Sequence, residues 1–591
     1  MIKHIKKISL ICMCASILTV FNSCNEELEE VVYSQLTTDN AFVTKDDALA
    51  AVNGLYSNLH GISYYPLFYS NDLSSDVCYK ANLPVEIMNT TDMNMDNAIR
   101  NSWNTYYIII SRCNVAIDNI SKIEDEKFNN EDGNPTELKS RCIAEAKFLR
   151  GWAYMQLTDL FYKVPLNIDS EINPGEKLQL AEIETVESQI IDDLTYAVEK
   201  LPLNYSSLED AGRPTIGAAT GILAKLHMRI AGRNRLAGQD ATTHWQAALK
   251  LLDNVISSDQ YTLQERVLYV YGLDDTNVDT EGLAKGLDTN GDKLYNDEII
   301  WAIRSNGDGP QGSSAIGLVF TPWSFDMGWN LLNMPLEFVW SFHADDTRLT
   351  ELIARNFPNV YNTPNANLNN FYVYPPSLDK VGTMYAENKD AEGNVIERIN
   401  ELTECYTLKY KFQNTGNYNY NTGNNVIILR YADILLLKAE VLNELNQSSK
   451  AITLVNQVRE RAFGNDIYNL KAADFGNMDA VRNAICDERS WELHNEGVRR
   501  PDLIRMGLWK EKMGKYFDTI KEKYQQKEIN AEARADEEDP ANAPHDFDYS
   551  SQWLVYPISS DLTENDIRRY YPIPKTETDL NPDLVNNRPG E

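Results

Sequence analysis

The sequence predicts a mostly α-helical protein, in which paired helices form a scaffold and a loop-rich, aromatic half contains short strands. Three observations carry this. Apolar residues recur at helical spacing through much of the first half and again beyond position 428. Ala is frequent at the inward positions of these runs, which lets neighbouring helices approach closely. Between 262 and 428 the periodicity lapses, and Gly, Asn, Pro and aromatic residues accumulate instead.

At the N-terminus, Lys3, Lys6 and Lys7 precede an apolar run over 8–21 that ends in Asn22-Ser23-Cys24. A charged start, a short apolar stretch and a small residue before Cys are what a lipoprotein signal requires. The run is shorter than the roughly 20 residues that span a bilayer. A secretory signal cleaved elsewhere is the competing reading, and Phe21 stands where a lipoprotein signal more often carries Leu. The expected layout is a signal over 1–23, an acylated Cys24, a tether over 24–45, and one unit over 46–591. No low-complexity linker divides that unit.

The helices follow from spacing. Cys142, Ala146, Leu149, Ala153, Leu157 and Leu160 share one face, and so do Ile183, Val186, Ile190, Leu194, Ala197 and Leu201, with Pro202 as the stop. A third helix follows Gly212-Arg213-Pro214-Thr215, and a fourth runs from Trp245 to Val255. Leu429, Ala432, Leu435, Ala439, Leu442 and Leu445 begin a later pair, answered by Ile452, Val455 and Val458. Such pairing resembles tetratricopeptide-like hairpins, although the repeat signature itself is absent. The bulk of the repeats is expected over 100–260 and 428–463. In the middle, 298–303 and 408–412 read as strands, and 417–425 as a polar loop. The acidic segment 528–549, with Pro540 and Pro544, reads as a surface excursion.

Composition narrows the function. A net charge of −32 argues against nucleic acid and against docking on anionic lipid by charge. The eight cysteines include two in the signal and Cys24; the other five have no CxxC spacing, so neither a disulfide framework nor a zinc site is expected. Cys113, Cys142 and Cys486 fall in helical patterns as small core residues. No HExxH, GxSxG, P-loop or dinucleotide fingerprint occurs, and no enzyme is predicted. Asp288, Asn290 and Asp292 alternate as a calcium loop begins, but Lys293 replaces the Gly and Glu298 comes one place early. An Asx-rich turn is the favoured reading over a structural Ca2+, and no cofactor is expected.

Several blocks then carry a resemblance. They are Ala144-Glu145-Ala146-Lys147-Phe148-Leu149-Arg150-Gly151-Trp152 with Val164-Pro165-Leu166, and Gly212-Arg213-Pro214-Thr215. Arg430-Tyr431-Ala432-Asp433 with Lys438-Ala439-Glu440, and Val458-Arg459-Glu460-Arg461-Ala462, follow. Next come Glu488-Arg489-Ser490-Trp491-Glu492-Leu493-His494-Asn495-Glu496-Gly497 with Asp502-Leu503-Ile504-Arg505, and Tyr571-Pro572-Ile573-Pro574 near the end. Together and in this order they resemble the SusD/RagB family. Pro501 and Met506 depart from the family pattern, as packing changes at a helix start and end. The resemblance implies a surface lipoprotein of the outer membrane, anchored by its N-terminal lipid. It implies about four tetratricopeptide-like hairpins behind a loop-rich binding half, and a SusC-like TonB-dependent β-barrel transporter as partner. The ligand would be an oligosaccharide, or in some branches a peptide.

Read from the residues alone, the hallmark blocks are scaffold. Glu488, Arg489, Glu492 and Glu496 lie three to four apart on one helix, with Arg499, Arg500 and Arg505 available to answer the carboxylates. A glycosidase would instead need two acids flanking a cleft. His494 reads as a surface residue of that charged helix. A sugar receptor needs flat aromatic rings and polar partners. Two stretches offer both: 64–72 with Asp76, Tyr79 and Asn82, and 320–330. The expected ligand residues are Trp323, Trp329, Phe325, Tyr69, Asp72 and Tyr79, with Tyr372 and Tyr374 behind them. Trp103, Trp152, Trp301, Trp340 and Trp491 are expected in the core. Besides the glycan receptor, the open readings are a peptide receptor, a helical-repeat adaptor without a small ligand, and a glycoside hydrolase.

Overall fold

The computed structural model describes residues 41–73, 75–78, 97–128, 135–171, 177–273, 296–305, 316–321, 331–358, 369–384, 386–402, 404–410, 424–535 and 569–584. The longer helices are α1 (Lys45–Ser57), α2 (Asn97–Lys122), α3 (Pro135–Phe161), α4 (Ile183–Lys200), α5 (Ile216–Leu236) and α6 (Thr242–Ser257). After the middle region come α7 (Tyr431–Glu444), α8 (Ser448–Phe463), α9 (Met478–Leu493), α10 (Arg499–Met506) and α11 (Trp509–Ala535). The expectation of a mostly α, tetratricopeptide-like scaffold holds.

Each start has a local cause. Thr44 and Asp47 form a reciprocal capping box that opens α1. Thr215 caps α5 by accepting from Ala218 N at 3.3 Å, and Gly212 turns at φ +93° to bring the chain there. Neighbours in sequence pack in turn: α2 on α3, α3 on α4, α4 on α5, α5 on α6, and α7 on α8. α6 also packs on α7, so the scaffold runs on across the inserted middle region. Arg150 on α3 shows how three helices are tied. It donates to both oxygens of Asp193 on α4, each at 2.8 Å, and to Asn114 on α2 at 2.9 Å. At Gly232 on α5 a Cβ would stand 2.6 Å from the Arg505 carbonyl oxygen, so this contact between α5 and α10 requires glycine.

The strands are short: β1 (Ile299–Ile303), β2 (Met334–Pro335), β3 (Ile353–Ala354), β4 (Asn356–Pro358), β5 (Asn369–Val373), β6 (Ala386–Lys389), β7 (Val395–Glu401), β8 (Glu404–Thr407) and β9 (Val426–Arg430). They form a β1–β9 pair, a sheet ordered β2-β8-β3 and a sheet ordered β4-β5-β7-β6. β5 and β7 are parallel and the other pairs antiparallel. β1 docks on the scaffold through Trp301, whose ring meets Phe148 and Trp152 edge-on at 4.7 and 5.0 Å. Its Nε1 donates to the Gly212 carbonyl oxygen at 3.1 Å.

Four expectations are corrected. The strand expected over 408–412 lies earlier, as β8, because Glu404–Thr407 find antiparallel partners in β2 and β3, and beyond Leu408 the described chain turns away. Leu429 belongs to β9 rather than to the helix, since a short apolar run fits either period until a partner strand, here β1, claims it. Residues 528–535 continue α11; the remainder of 528–549 lies outside the described residues. Trp340 and Trp491 are only half-buried, their indole N–H groups donating to the Pro375 carbonyl and the Ser341 hydroxyl. Trp103, Trp152 and Trp301 are core residues as expected, as are Cys113, Cys142 and Cys486.

Candidate functional site

Cys24, Tyr79, Trp323, Phe325, Trp329 and the loop of Asp288, Asn290 and Asp292 lie outside the described residues, as does the polar loop over 417–423. The roots of the two aromatic stretches are described, and they meet. A π-helical turn (Ser63–Tyr69) and a one-turn helix (Ile316–Phe320) pack together. Phe68 and Phe320 touch edge-on at 5.3 Å. Tyr410 stacks on Phe320 and meets Phe68, each at 5.6 Å. Leu331 N donates to the Val319 carbonyl oxygen at 3.0 Å, so the residues flanking 322–330 are pinned side by side. Tyr410 was not singled out by spacing; its only sequence signal is its place among Tyr406 and Phe412.

Tyr69 and Asp72 lie beneath this aromatic root, 4% and 0% exposed. The structure therefore places both in the interior rather than on a solvent-facing platform. Asp72 Oδ2 accepts from Gly497 N at 2.8 Å. Burial pushes its pKa up to about 8; the Gly497 bond opposes this, the Glu496 charge reinforces it, and Lys409 opposes it. Four residues on, Asp76 is gripped by Arg499, whose Nε and Nη2 each donate at 2.7 Å. The early stretch is thus bound at two points to the 497–499 turn. Tyr372 and Tyr374 are half-buried, and Tyr372 packs on Phe357 at 5.4 Å.

Under the site lies a buried charge network. Five carboxylates (Glu298, Asp346, Glu488, Glu492, Glu496) face five cations (Arg348, Lys409, Arg430, Arg459, Arg461). Arg430 reaches Glu298, Glu492 and Glu496 at 2.8, 2.6 and 2.9 Å. Burial alone would raise the Glu492 pKa, but Arg461, Arg430 and Arg348 outweigh it and hold the carboxyl well below its usual range. Within this network every carboxylate is held by at least one cation, which ties it up in pairing rather than leaving it poised for general acid–base work. What the network does is fasten the middle region, through Glu298, Arg348, Lys409 and Arg430, to α8 and α9.

Here too sequence spacing needed correction. The hallmark carboxylates are answered by distant arginines, not by Arg499, Arg500 and Arg505. α10 lies beyond the turn at Gly497 and points elsewhere: Arg505 pairs with Glu440 and Asp502, and Arg500 lies 4.6 Å over the Tyr571 ring. His494 is 1% exposed, not a surface residue. Burial first, and then the Lys409 charge, drive its pKa well below the ordinary histidine value. Glu298 is consumed by Arg430 and Arg461. The tail packs on the body, with Tyr571 donating to the Ser70 carbonyl at 3.0 Å.

Comparison with known proteins follows this geometry. Residues 297–590 match the model described as the SusD family, and residues 28–228 one described as "Starch-binding associating with outer membrane". SusD-like protein P25 of Formosa agariphila is 28% identical over 512 residues, covering 82% of this chain and 87% of that protein. Among solved structures, a SusD homolog from Bacteroides thetaiotaomicron superposes with a TM-score of 0.64 at 22% identity, over 93% of this chain and 98% of its own. Surface glycan-binding protein A from Bacteroides fluxus gives 0.60 at 17% identity, over 93% and 100%.

Proposed function

This chain belongs to the SusD/RagB family, and on that premise we propose that it is a non-catalytic carbohydrate receptor of the outer-membrane surface. It captures oligosaccharides on the aromatic stretch over 320–330, which the buried early stretch supports from beneath, and passes them to a SusC-like TonB-dependent barrel. The observation that supports this most is the meeting of those two stretches, far apart in sequence, on the Phe68–Phe320–Tyr410 root. The chain enters the 322–330 segment from this root at Phe320 and returns at Leu331, whose N donates to the Val319 carbonyl oxygen. The aromatic, Asn and Asp content of 320–330 suits the apolar faces and hydroxyl rims of sugars. Cys24 carries the lipid that keeps the receptor beside its transporter.

A peptide receptor on the same scaffold is the second reading, since aromatic surfaces also hold peptides. Incubation of the pure protein with a glycan panel and a peptide library separates them. The proposal expects selective retention of one glycan class, recovered at unchanged chain length, and co-isolation of a β-barrel from native membranes. Release of new reducing ends would overturn the non-catalytic reading. Retention of peptides alone would replace the ligand class.

A further inference from the structure

His227 on α5 and His244 on α6 face each other across a helix hairpin. Their Nδ1 atoms lie 2.9 Å apart, and the ring centroids 5.1 Å apart with a 36° tilt. Two doubly protonated rings cannot meet in this way, because both Nδ1 atoms would be donors. At least one ring is neutral, and one Nδ1–H donates to the other Nδ1 lone pair. The rings therefore bring two nitrogen ligand atoms within the spacing of one coordination sphere. Both residues are partly exposed, so the pair lies towards the surface of the hairpin rather than in its core. The charged groups facing His244, Glu187 and Arg233, are paired with each other at 2.6 Å and leave the surroundings close to neutral.

From this geometry we infer that His227 and His244 form a two-histidine site for a divalent transition metal. Tetrahedral zinc holds imidazole nitrogens at 2.0–2.1 Å, which sets two ligand nitrogens roughly 3.3 Å apart. The pair needs to open by a few tenths of an ångström, and each ring to swing about its side-chain torsions so that both lone pairs converge on the metal. The donor ring gives up its Nδ1 proton to water and takes one at Nε2. Both rings then bind through Nδ1 as neutral imidazoles; from two neutral rings no net proton is released, and from one protonated ring a single proton goes to water. Water completes the coordination. Imidazole ligands without carboxylates select Zn2+, Ni2+ or Cu2+ over Ca2+ or Mg2+.

The test is calorimetric titration of the whole chain, prepared without a histidine tag, with zinc chloride and separately with calcium chloride. The expected result is one Zn2+ per chain, a melting temperature that rises with zinc, and no response to calcium. His227→Asn and His244→Asn should each weaken zinc binding at least tenfold. If either variant fails to fold, Co2+ broadening of the two imidazole NMR signals in the unmutated chain decides instead. Unchanged zinc affinity in the double variant, or cobalt broadening confined to other histidines, would overturn the assignment.

Discussion

Gly497 N donates to the Asp72 carboxyl at 2.8 Å, across 425 positions of sequence. This one bond joins the early aromatic stretch to the end of the charged hallmark helix. Gly497 adopts φ +74°, and a Cβ there would stand 2.7 Å from Leu67 Cγ. Gly497→Ala should therefore cost about 1–3 kcal/mol, from left-handed backbone strain together with overpacking. Urea unfolding measures it; an unchanged midpoint would mean that the turn relaxes without loss.

Asp72 gives a pH dependence. Its pKa is pushed up to about 8 in the folded chain, against about 3.9 unfolded. Between these values the native state keeps a proton that the unfolded state has lost, so the contribution is full below pH 4 and falls as pH rises towards 8. Asp72→Asn removes that slope. Unfolding midpoints should shift in the variant's favour by at least about 1 kcal/mol between pH 5 and 8. Lys409, pulled down to about 8 chiefly by burial, acts with the opposite sign above pH 8, so the comparison stops there. Parallel pH profiles would show that Asp72 is ionised in the fold.

Arg430 is the hub of the buried network. Arg430→Met leaves Glu298, Glu492 and Glu496 short of a partner and should cost about 3–5 kcal/mol. Arg430→Lys, which keeps the charge but loses the fork, should fall between the two. Denaturant midpoints that ignore both changes would contradict the fastening role.

Cys24→Ala should yield a folded chain that binds its ligand in solution but is absent from washed membranes and fails to support growth on that nutrient. Normal membrane recovery of the variant would locate the anchor elsewhere.

How much the sequence disclosed varied with the range of the interaction. α4 and α6 were legible because one face of each buries apolar residues at regular spacing, and α5, buried on all sides over 217–224, was legible because Thr215 announces it. The Arg150–Asp193 tie and the network around Arg430 were not, because a charged pair leaves no periodic trace when its members are far apart. The hallmark helix shows this most clearly. Glu488, Glu492 and Glu496 were visible as a stripe, but their partners came from the middle region and α8. His494 was misplaced for the same reason, since a stripe of charge reads as a solvated face until the cations that bury it are known. The two aromatic stretches were found by composition, whereas their meeting at Phe68 and Phe320 depends on tertiary packing that spacing does not encode.

The central claim is that aromatic side chains of the 320–330 stretch hold a glycan without transforming it. Calorimetry tests it most directly, comparing the unmutated chain, Trp323→Ala and Trp329→Ala against the glycan class that the panel retains. Loss of one stacking ring should weaken binding about fivefold to tenfold or more, since an aromatic contact contributes on the order of 1 kcal/mol beyond its buried area. Melting temperatures should stay unchanged. Equal affinity in both variants and the unmutated chain would contradict the account and move the binding surface away from this stretch.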